Sequence, residues 1–202
     1  VNIHLGDGKD MMRYLFEMQE KTELPYAQFL PTHANRNSSL FKEAIKYAKG
    51  GGYIDFTTST VPLFIEDGEV PAAKAFIDCL NEGVSPYHVT FSSDGQGSLP
   101  IFDSSGALSG LDVGKSSSLF GALQTLVMDM GCEIEKALLP VTKNPAKLLK
   151  LLNKGEIKAN SDADMVLVTK DTFEIRSVYA RGVAMMEKGI LLKKGTDRKR
   201  VV

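Results

Sequence analysis

Short apolar runs alternate with amphipathic stretches through the first half of the chain. The runs that predict strands are residues 1–5, 27–30, 53–57 and 88–93. Apolar residues recur between them at three- and four-residue spacing. This spacing predicts helices over residues 9–20, 38–49 and 69–82. Strands and helices that alternate in this way indicate βαβ units around a parallel sheet.

Two folds accommodate such units, namely an open doubly wound sheet and a (β/α)8 barrel. Four units would make half of such a barrel. The first three residues look like the end of a strand, and the chain does not start with Met. We therefore expect a fragment of a longer protein or a processed product. Ser38 is the expected N-cap of the second helix.

The pattern changes in the second half of the chain. Residues 99–114 are rich in Ser, Gly and Asp and predict a loop, and helices are expected over 116–130, 133–139 and 145–152. After Gly155, strands are expected over 165–168, 175–180 and 183–186 with short connections, which indicates a small antiparallel unit. The basic tail, residues 193–200, is expected to be a solvated end. The predicted domains are therefore 1–153 and 154–202.

Composition narrows the class of protein. Among 202 residues the formal net charge is −1, with 43% hydrophobic and 24% charged residues. This balanced charge gives no indication of a basic surface for binding nucleic acid or a membrane. No uncharged apolar run reaches the roughly 18 residues of a membrane span. Cys79 and Cys132 have no metal-type spacing and are expected to be free thiols. A cytoplasmic protein is expected.

Polar side chains lie at three of the predicted strand exits. His4, His33 and Asp94 each follow a strand, whereas His88 precedes one. Because strand exits of a parallel α/β sheet share one edge, we expect the first three to converge there and His88 to lie at the opposite end. Two imidazoles and a carboxylate are a plausible catalytic zinc set. The alternatives are hydrogen-bonded structural histidines and a turn-forming Asp-Gly.

Two further residues are candidates for binding substrate. Arg36 lies three residues after His33, where its guanidinium could hold a carboxylate through two parallel hydrogen bonds. Ser98 lies four residues after Asp94 in a Gly-rich turn and could donate a hydrogen bond. A surface arginine and a turn serine are the corresponding alternatives.

Several motifs resemble the amidohydrolase superfamily. They are the strand-exit histidines and aspartate, Thr142–Ala146 (TKNPA) and Lys154–Leu167 (KGEIKANSDADMVL). Within the superfamily, four segments are similar to the isoaspartyl dipeptidase (β-aspartyl peptidase) family, namely Gln28–Arg36 (QFLPTHANR), Gly52–Ser59 (GYIDFTTS), Ser92–Ser98 (SSDGQGS) and Val178–Gly182 (VYARG). The resemblance covers nearly the whole chain. It implies the C-terminal half of an α/β, (β/α)8 TIM barrel of amidohydrolase type, followed by part of a small β-sandwich domain.

The resemblance also implies roles for single residues. His4 and His33 match histidines on the more exposed of two zinc ions, and Asp94 matches an aspartate that ligates the other zinc and acts as general base and acid. Arg36 matches an arginine that holds the substrate α-carboxylate, and Ser98 matches a substrate-contacting serine. The implied activity is hydrolysis of β-aspartyl dipeptides by a metal-activated hydroxide.

The sequence departs from the family pattern in two ways. The His-x-His pair and the bridging carbamylated lysine of the binuclear zinc site have no counterpart here, so the N-terminal half of the barrel would have to supply them. Asn160 replaces a glycine of the family, although Asn tolerates positive φ.

Two alternatives to the dipeptidase remain open at this stage. One is another amidohydrolase, of dihydroorotase-like or aminoacylase-like type. The other is an inactive barrel fragment. The resemblance also suggests a homo-oligomer.

Overall fold

The computed structural model describes residues 1–193. Residues 194–202 lie outside the described part, and with them most of the basic tail that was predicted to be a solvated end. The chain divides into two compact units, one covering Val1–Pro145 and the other beginning at Ala146.

Four short parallel strands organise the first unit. They are β1 (Asn2–His4), β2 (Leu30–Thr32), β3 (Ile54–Thr57) and β4 (Val89–Ser92). Strand β1 pairs with β2 and β3 with β4, both in parallel. The backbone N–H of Ala34 donates to the carbonyl of Asp55 (3.1 Å), which links the end of β2 to β3. Four strands are present as predicted, and their carboxyl ends lie along one edge. The bounds predicted for the second strand, 27–30, are wrong, because Tyr26–Gln28 form a 3-10 turn and the strand starts only at Leu30.

Helices connect these strands. They are α1 (Arg13–Lys21), α2 (Ser38–Lys49), α3 (Pro62–Glu66) and α4 (Ala72–Asn81). The prediction of Ser38 as N-cap of α2 is wrong, because the side chain of Asn37 accepts from the Leu40 N–H at 2.8 Å. The Ser38 hydroxyl instead donates to the Gly68 carbonyl (3.1 Å). The cap residue is thus one position earlier, while the helix itself is as predicted.

An aromatic cluster forms the core between β3, β4 and the helices. Phe56 of β3 lies 5.6 Å from Phe41 of α2 and 6.4 Å from Phe91 of β4, between ring centroids. Phe76 of α4 packs edge-on against Phe91 at 6.0 Å. Because these buried rings fix the strands against α2 and α4, the strand exits are held on a rigid support.

Residues 99–114 form a β-hairpin, so the predicted loop is wrong here. Strand β5 (Ser98–Phe102) pairs antiparallel with β6 (Leu108–Val113). The turn is held by the Asp103 carboxylate, which accepts from the N–H groups of Ser105 (2.8 Å) and Ala107 (3.0 Å). The abundant Ser, Gly and Asp residues therefore belong to a tight turn and to an exposed ribbon.

Three more helices follow. They are α5 (Ser118–Gln124), which continues through a π-helical turn to Asp129, α6 (Ile134–Leu138) and α7 (Lys143–Leu148). Asn144 is buried and its side-chain amide donates to the carbonyls of Pro86 (2.8 Å) and Val89 (2.7 Å). The TKNPA motif thus anchors the entrance of β4, at the end opposite to Asp94.

The second unit contains a small antiparallel sheet of order β10-β9-β8-β7. Its strands are β7 (Met165–Val168), β8 (Ile175–Ala180), β9 (Val183–Glu187) and β10 (Ile190–Leu191). Asn160 in the segment that leads to β7 has a φ of 67°, so Asn fills the left-handed position that was expected for it.

Two general expectations from composition can be compared with the structure. Within residues 1–193, no helix combines the length and the apolar character needed to cross a bilayer. Both cysteines are free thiols, and burial raises the pKa of Cys79 to about 12.

Candidate metal and substrate site

Two histidines meet at the strand exits. His4 ends β1 and His33 follows β2, and the Nδ1 atom of His4 lies 3.0 Å from the Nε2 atom of His33. His33 is buried, with 7% of its surface exposed, and its φ of 63° is in the left-handed region. Non-glycine residues in that region cluster at functional sites, where the surrounding structure maintains the strain.

The environment of His33 favours a neutral imidazole. Its Nδ1 atom lies 2.6 Å from the Thr57 hydroxyl at the end of β3, so an Nδ1 hydrogen donated to that oxygen leaves a lone pair on Nε2. Burial lowers the pKa of His33, and the charge of Arg36 lowers it further, while Asp94 partly opposes this. At neutral pH the ring is therefore in the form that binds metal ions.

The donor set fits part of a zinc site. Two nitrogen ligands that share one zinc ion lie roughly 3–3.5 Å apart, and the His4–His33 nitrogens are separated by 3.0 Å. The residues that the structure describes contain no group of three or more His, Cys, Asp or Glu side chains able to hold a metal. The chain thus brings two candidate ligands together, and Asp94 does not complete a three-ligand cluster with them.

Asp94 lies two residues beyond β4 in a strained turn. Its φ is 47°, and its carbonyl accepts from the Gly97 N–H at 2.9 Å. The residue is exposed, and its charge is close enough to raise the pKa of His33. The carboxylate therefore faces solvent, and its convergence with the two histidines stays a prediction.

A buried aspartate below these exits was missed by the sequence argument. Asp55 of β3 is 5% exposed and accepts hydrogen bonds from the hydroxyls of Thr32 (2.5 Å), Thr90 (2.8 Å) and Ser92 (2.5 Å). Burial raises its pKa, and the three hydroxyls and His4 oppose that rise. One carboxylate thus joins β2, β3 and β4 beneath the candidate site. The sequence does contain a signal for this role, because an acidic residue between Ile54 and Phe56 in a predicted buried strand needs hydrogen-bond partners.

We expect Asp55→Ala to destabilise the fold by about 2–4 kcal/mol, because hydroxyls on two neighbouring strands lose their buried acceptor. The midpoint of urea unfolding, at unchanged m value, measures this. Asp67→Ala, at an exposed position after α3, is the control and should change stability by less than about 0.5 kcal/mol. An equal effect of the two substitutions would contradict a role of Asp55 in joining the strands.

Arg36 lies beside the histidine pair. Its backbone N–H donates to the His33 carbonyl (3.0 Å), and its charge acts on the His33 ring. The Arg36 Nε atom is buried and has no hydrogen-bond partner among the described residues. A guanidinium with an unused donor beside a candidate metal site is suited to hold an anionic group.

The neighbouring Asn35 explains why the loop has this shape. Its side chain donates to the carbonyls of Thr57 (3.0 Å) and Val70 (2.9 Å) and accepts from the Thr57 N–H (2.8 Å). These bonds fix the His33–Arg36 loop against the end of β3. Ser98, the other candidate for contacting substrate, is exposed at the start of β5.

Comparison with known proteins agrees with these features. Residues 37–185 match the sequence model of the Amidohydrolase family. The beta-aspartyl dipeptidase of Fervidobacterium islandicum AW-1, solved in complex with the dipeptide beta-Asp-Leu, is 38% identical with a TM-score of 0.83. The alignment covers 98% of this chain and 50% of that chain. A second structure of the dipeptidase from the same organism gives 35% identity and a TM-score of 0.81, over 98% of this chain and 48% of that one.

More distant structures share the fold alone. An amidohydrolase from Thermotoga maritima MSB8 is 18% identical with a TM-score of 0.59, over 93% of this chain and 43% of that chain. The chain spans about half the length of the solved relatives that it matches, and its first unit is a partial amidohydrolase barrel. By its matched sequence and its fold, the chain belongs to the amidohydrolase family.

Proposed function

We propose that the protein containing this chain is a zinc-dependent dipeptidase that hydrolyses β-aspartyl (isoaspartyl) dipeptides. The observation that carries the proposal is the direct contact between His4 and His33 at adjacent strand exits, with Arg36 and Asp94 beside it. The 38% identity to a beta-aspartyl dipeptidase over 98% of this chain supports the choice of substrate class.

His4 and His33 would hold a metal through Nδ1 and Nε2 respectively, because these atoms face each other. When bound, zinc would polarise the scissile carbonyl and lower the pKa of a water molecule. Asp94 would serve as a ligand of the second zinc ion, whose remaining ligands lie outside this chain. Its carboxylate would also take a proton from the attacking water and deliver it to the leaving amine. Arg36 would hold the substrate α-carboxylate, and Ser98 would donate a hydrogen bond to the substrate.

The proposal extends to parts of the protein beyond this chain. Residues 1–153 would be the second half of a (β/α)8 barrel, and residues 154–202 part of a small β-sandwich domain. The first half of the barrel would complete a binuclear site with the remaining ligands, a carbamylated lysine among them. We further propose a cytoplasmic homo-oligomer.

The test is an assay of the full-length natural protein, supplied with zinc, on β-Asp-Leu and α-Asp-Leu. The proposal predicts turnover of the β isomer with a clear preference over the α isomer. Equal rates on both isomers, or hydrolysis of neither, would refute it.

We expect Arg36→Met to raise KM for β-Asp-Leu by about 10- to 100-fold, because a charge-assisted bond to the substrate carboxylate is lost. The kcat value should change much less, since the bond is present in the ground state as well as in the transition state. Steady-state kinetics measures both. Arg13→Met is the matched control, because Arg13 is exposed on α1, where it forms ion pairs with Asp10 and Glu17 and lies over the Tyr14 ring. An unchanged KM in Arg36→Met would exclude Arg36 from carboxylate binding.

A further inference from the structure

The turn that carries Asp94 is held by a hydroxyl from the segment after β3 and by a hydrogen bond within the turn. The Ser59 hydroxyl, which follows β3, donates to the carbonyl of Ser93, the residue before Asp94. Beyond Asp94, the Gly97 N–H closes the turn on the Asp94 carbonyl (2.9 Å). These contacts keep a non-glycine residue at a φ of 47°, a conformation that needs support from its surroundings.

Gly114, at the far end of the hairpin, closes this arrangement. Its N–H donates to the Gly97 carbonyl (2.8 Å), and its own carbonyl accepts from the Gln96 N–H (2.9 Å). The residue is buried. The end of the β5–β6 hairpin is thus fastened to the turn that carries Asp94.

The space at Gly114 is filled by Asp94 itself. A Cβ atom on Gly114 would lie 2.6 Å from the Asp94 carbonyl oxygen and 3.5 Å from its carbonyl carbon. The φ of Gly114 is outside the left-handed region, so the backbone there suits any residue. The requirement for glycine is therefore steric, since only a hydrogen atom fits between Gly114 and the Asp94 peptide.

We propose that Gly114 is a positioning residue for Asp94, holding the peptide of that aspartate in the strained turn at the exit of β4. The inference rests on the proposed function, because it assigns a role to a residue that acts through the proposed general base. It also gives the hairpin a function in the active site, in addition to carrying Ser98 at its start.

The test compares Gly114→Ala with Gly110→Ala in the full-length, zinc-loaded protein. Gly110 lies on β6, four residues before Gly114, and a Cβ there would meet the Ile101 side chain only at 3.7 Å, an ordinary contact. We expect Gly114→Ala to lower kcat on β-Asp-Leu by about 10- to 100-fold through misplacement of Asp94. Its KM should stay within about threefold of the wild type, because substrate binding is assigned to other residues.

Zinc content and melting temperature are measured on the same samples, to separate positioning from general damage. The inference predicts that, compared at equal bound zinc, folded Gly114→Ala is slower than Gly110→Ala, while a crystal structure shows Asp94 moved from its wild-type position. A kcat close to wild type would overturn it, and so would a loss of activity that only parallels loss of zinc or of folded protein.

Ser59→Ala provides a second, milder variant. It removes the hydrogen bond to the Ser93 carbonyl without introducing a clash, so kcat should fall by about three- to tenfold with KM unchanged. If Gly114→Ala yields no folded protein, Ser59→Ala becomes the test of the inference. Full activity of Ser59→Ala would then overturn it. A wild-type protein that does not hydrolyse β-Asp-Leu overturns the proposed function and this inference together. An active wild type with an equally active Gly114→Ala overturns the inference alone.

Discussion

Asp94→Asn is expected to lower kcat on β-Asp-Leu by about 10²- to 10⁴-fold, the range that general acid–base catalysis contributes. The amide keeps the size of the side chain but cannot accept the proton of the attacking water. The turn should persist, because Asn tolerates positive φ as well as Asp does and the bonds that hold this turn use backbone atoms of residue 94. Steady-state kinetics on full-length protein of known zinc content measures the effect.

Asp112→Asn is the control for that substitution. Asp112 is exposed on β6 of the neighbouring hairpin and pairs with Leu99 in the strand register. It should retain nearly the wild-type kcat. If Asp94→Asn were as active as this control, Asp94 would have no part in proton transfer.

His33→Asn is expected to weaken zinc binding by more than about 100-fold, since loss of an outer hydrogen-bond partner alone costs 10- to 100-fold and here a ligand is removed. Asparagine is chosen because His33 has a φ of 63°, which Asn adopts with little strain. The variant should therefore fold with an intact loop and lose activity because it loses metal. Equilibrium dialysis followed by elemental analysis gives the zinc bound at each free concentration.

His88→Asn provides the matched histidine control. His88 precedes β4, at the strand entrance, and its ring lies 5.1 Å from that of Tyr53. Because this end of the strands is away from the candidate site, zinc affinity should remain that of the wild type. Equal losses of zinc in both variants would mean that His33 is no ligand and that the fold, rather than the site, is affected.

The elements that the sequence predicts well are those with a strong local pattern. Strands β1 to β4 are short runs whose ends carry His4, His33 and Asp94, and the rule that parallel strands share an exit edge was sufficient to bring the two histidines together. The antiparallel unit after Gly155 was equally predictable, because the spacing of apolar residues changes there from the helical pattern to the alternation typical of strands.

Other features depend on contacts between distant residues, which no local pattern contains. The β5–β6 hairpin was mistaken for a loop because its composition resembles a turn and its strands are exposed, so that apolar alternation is weak. The role of Asp55 needs hydroxyls from β2 and β4, and the requirement for glycine at position 114 needs the folded position of Asp94. The same holds for the N-cap of α2. The Ser38 hydroxyl bonds to the distant Gly68 carbonyl, and Asn37 caps the helix instead.

The central claim, that His4 and His33 belong to a metal site that hydrolyses β-aspartyl dipeptides, is tested most directly by metal removal. The full-length protein is treated with a chelator, freed of it by dialysis, and assayed on β-Asp-Leu before and after zinc is returned. We expect activity at background level in the metal-free protein and recovery in proportion to the zinc bound. Full activity in protein shown by elemental analysis to hold no metal would contradict it.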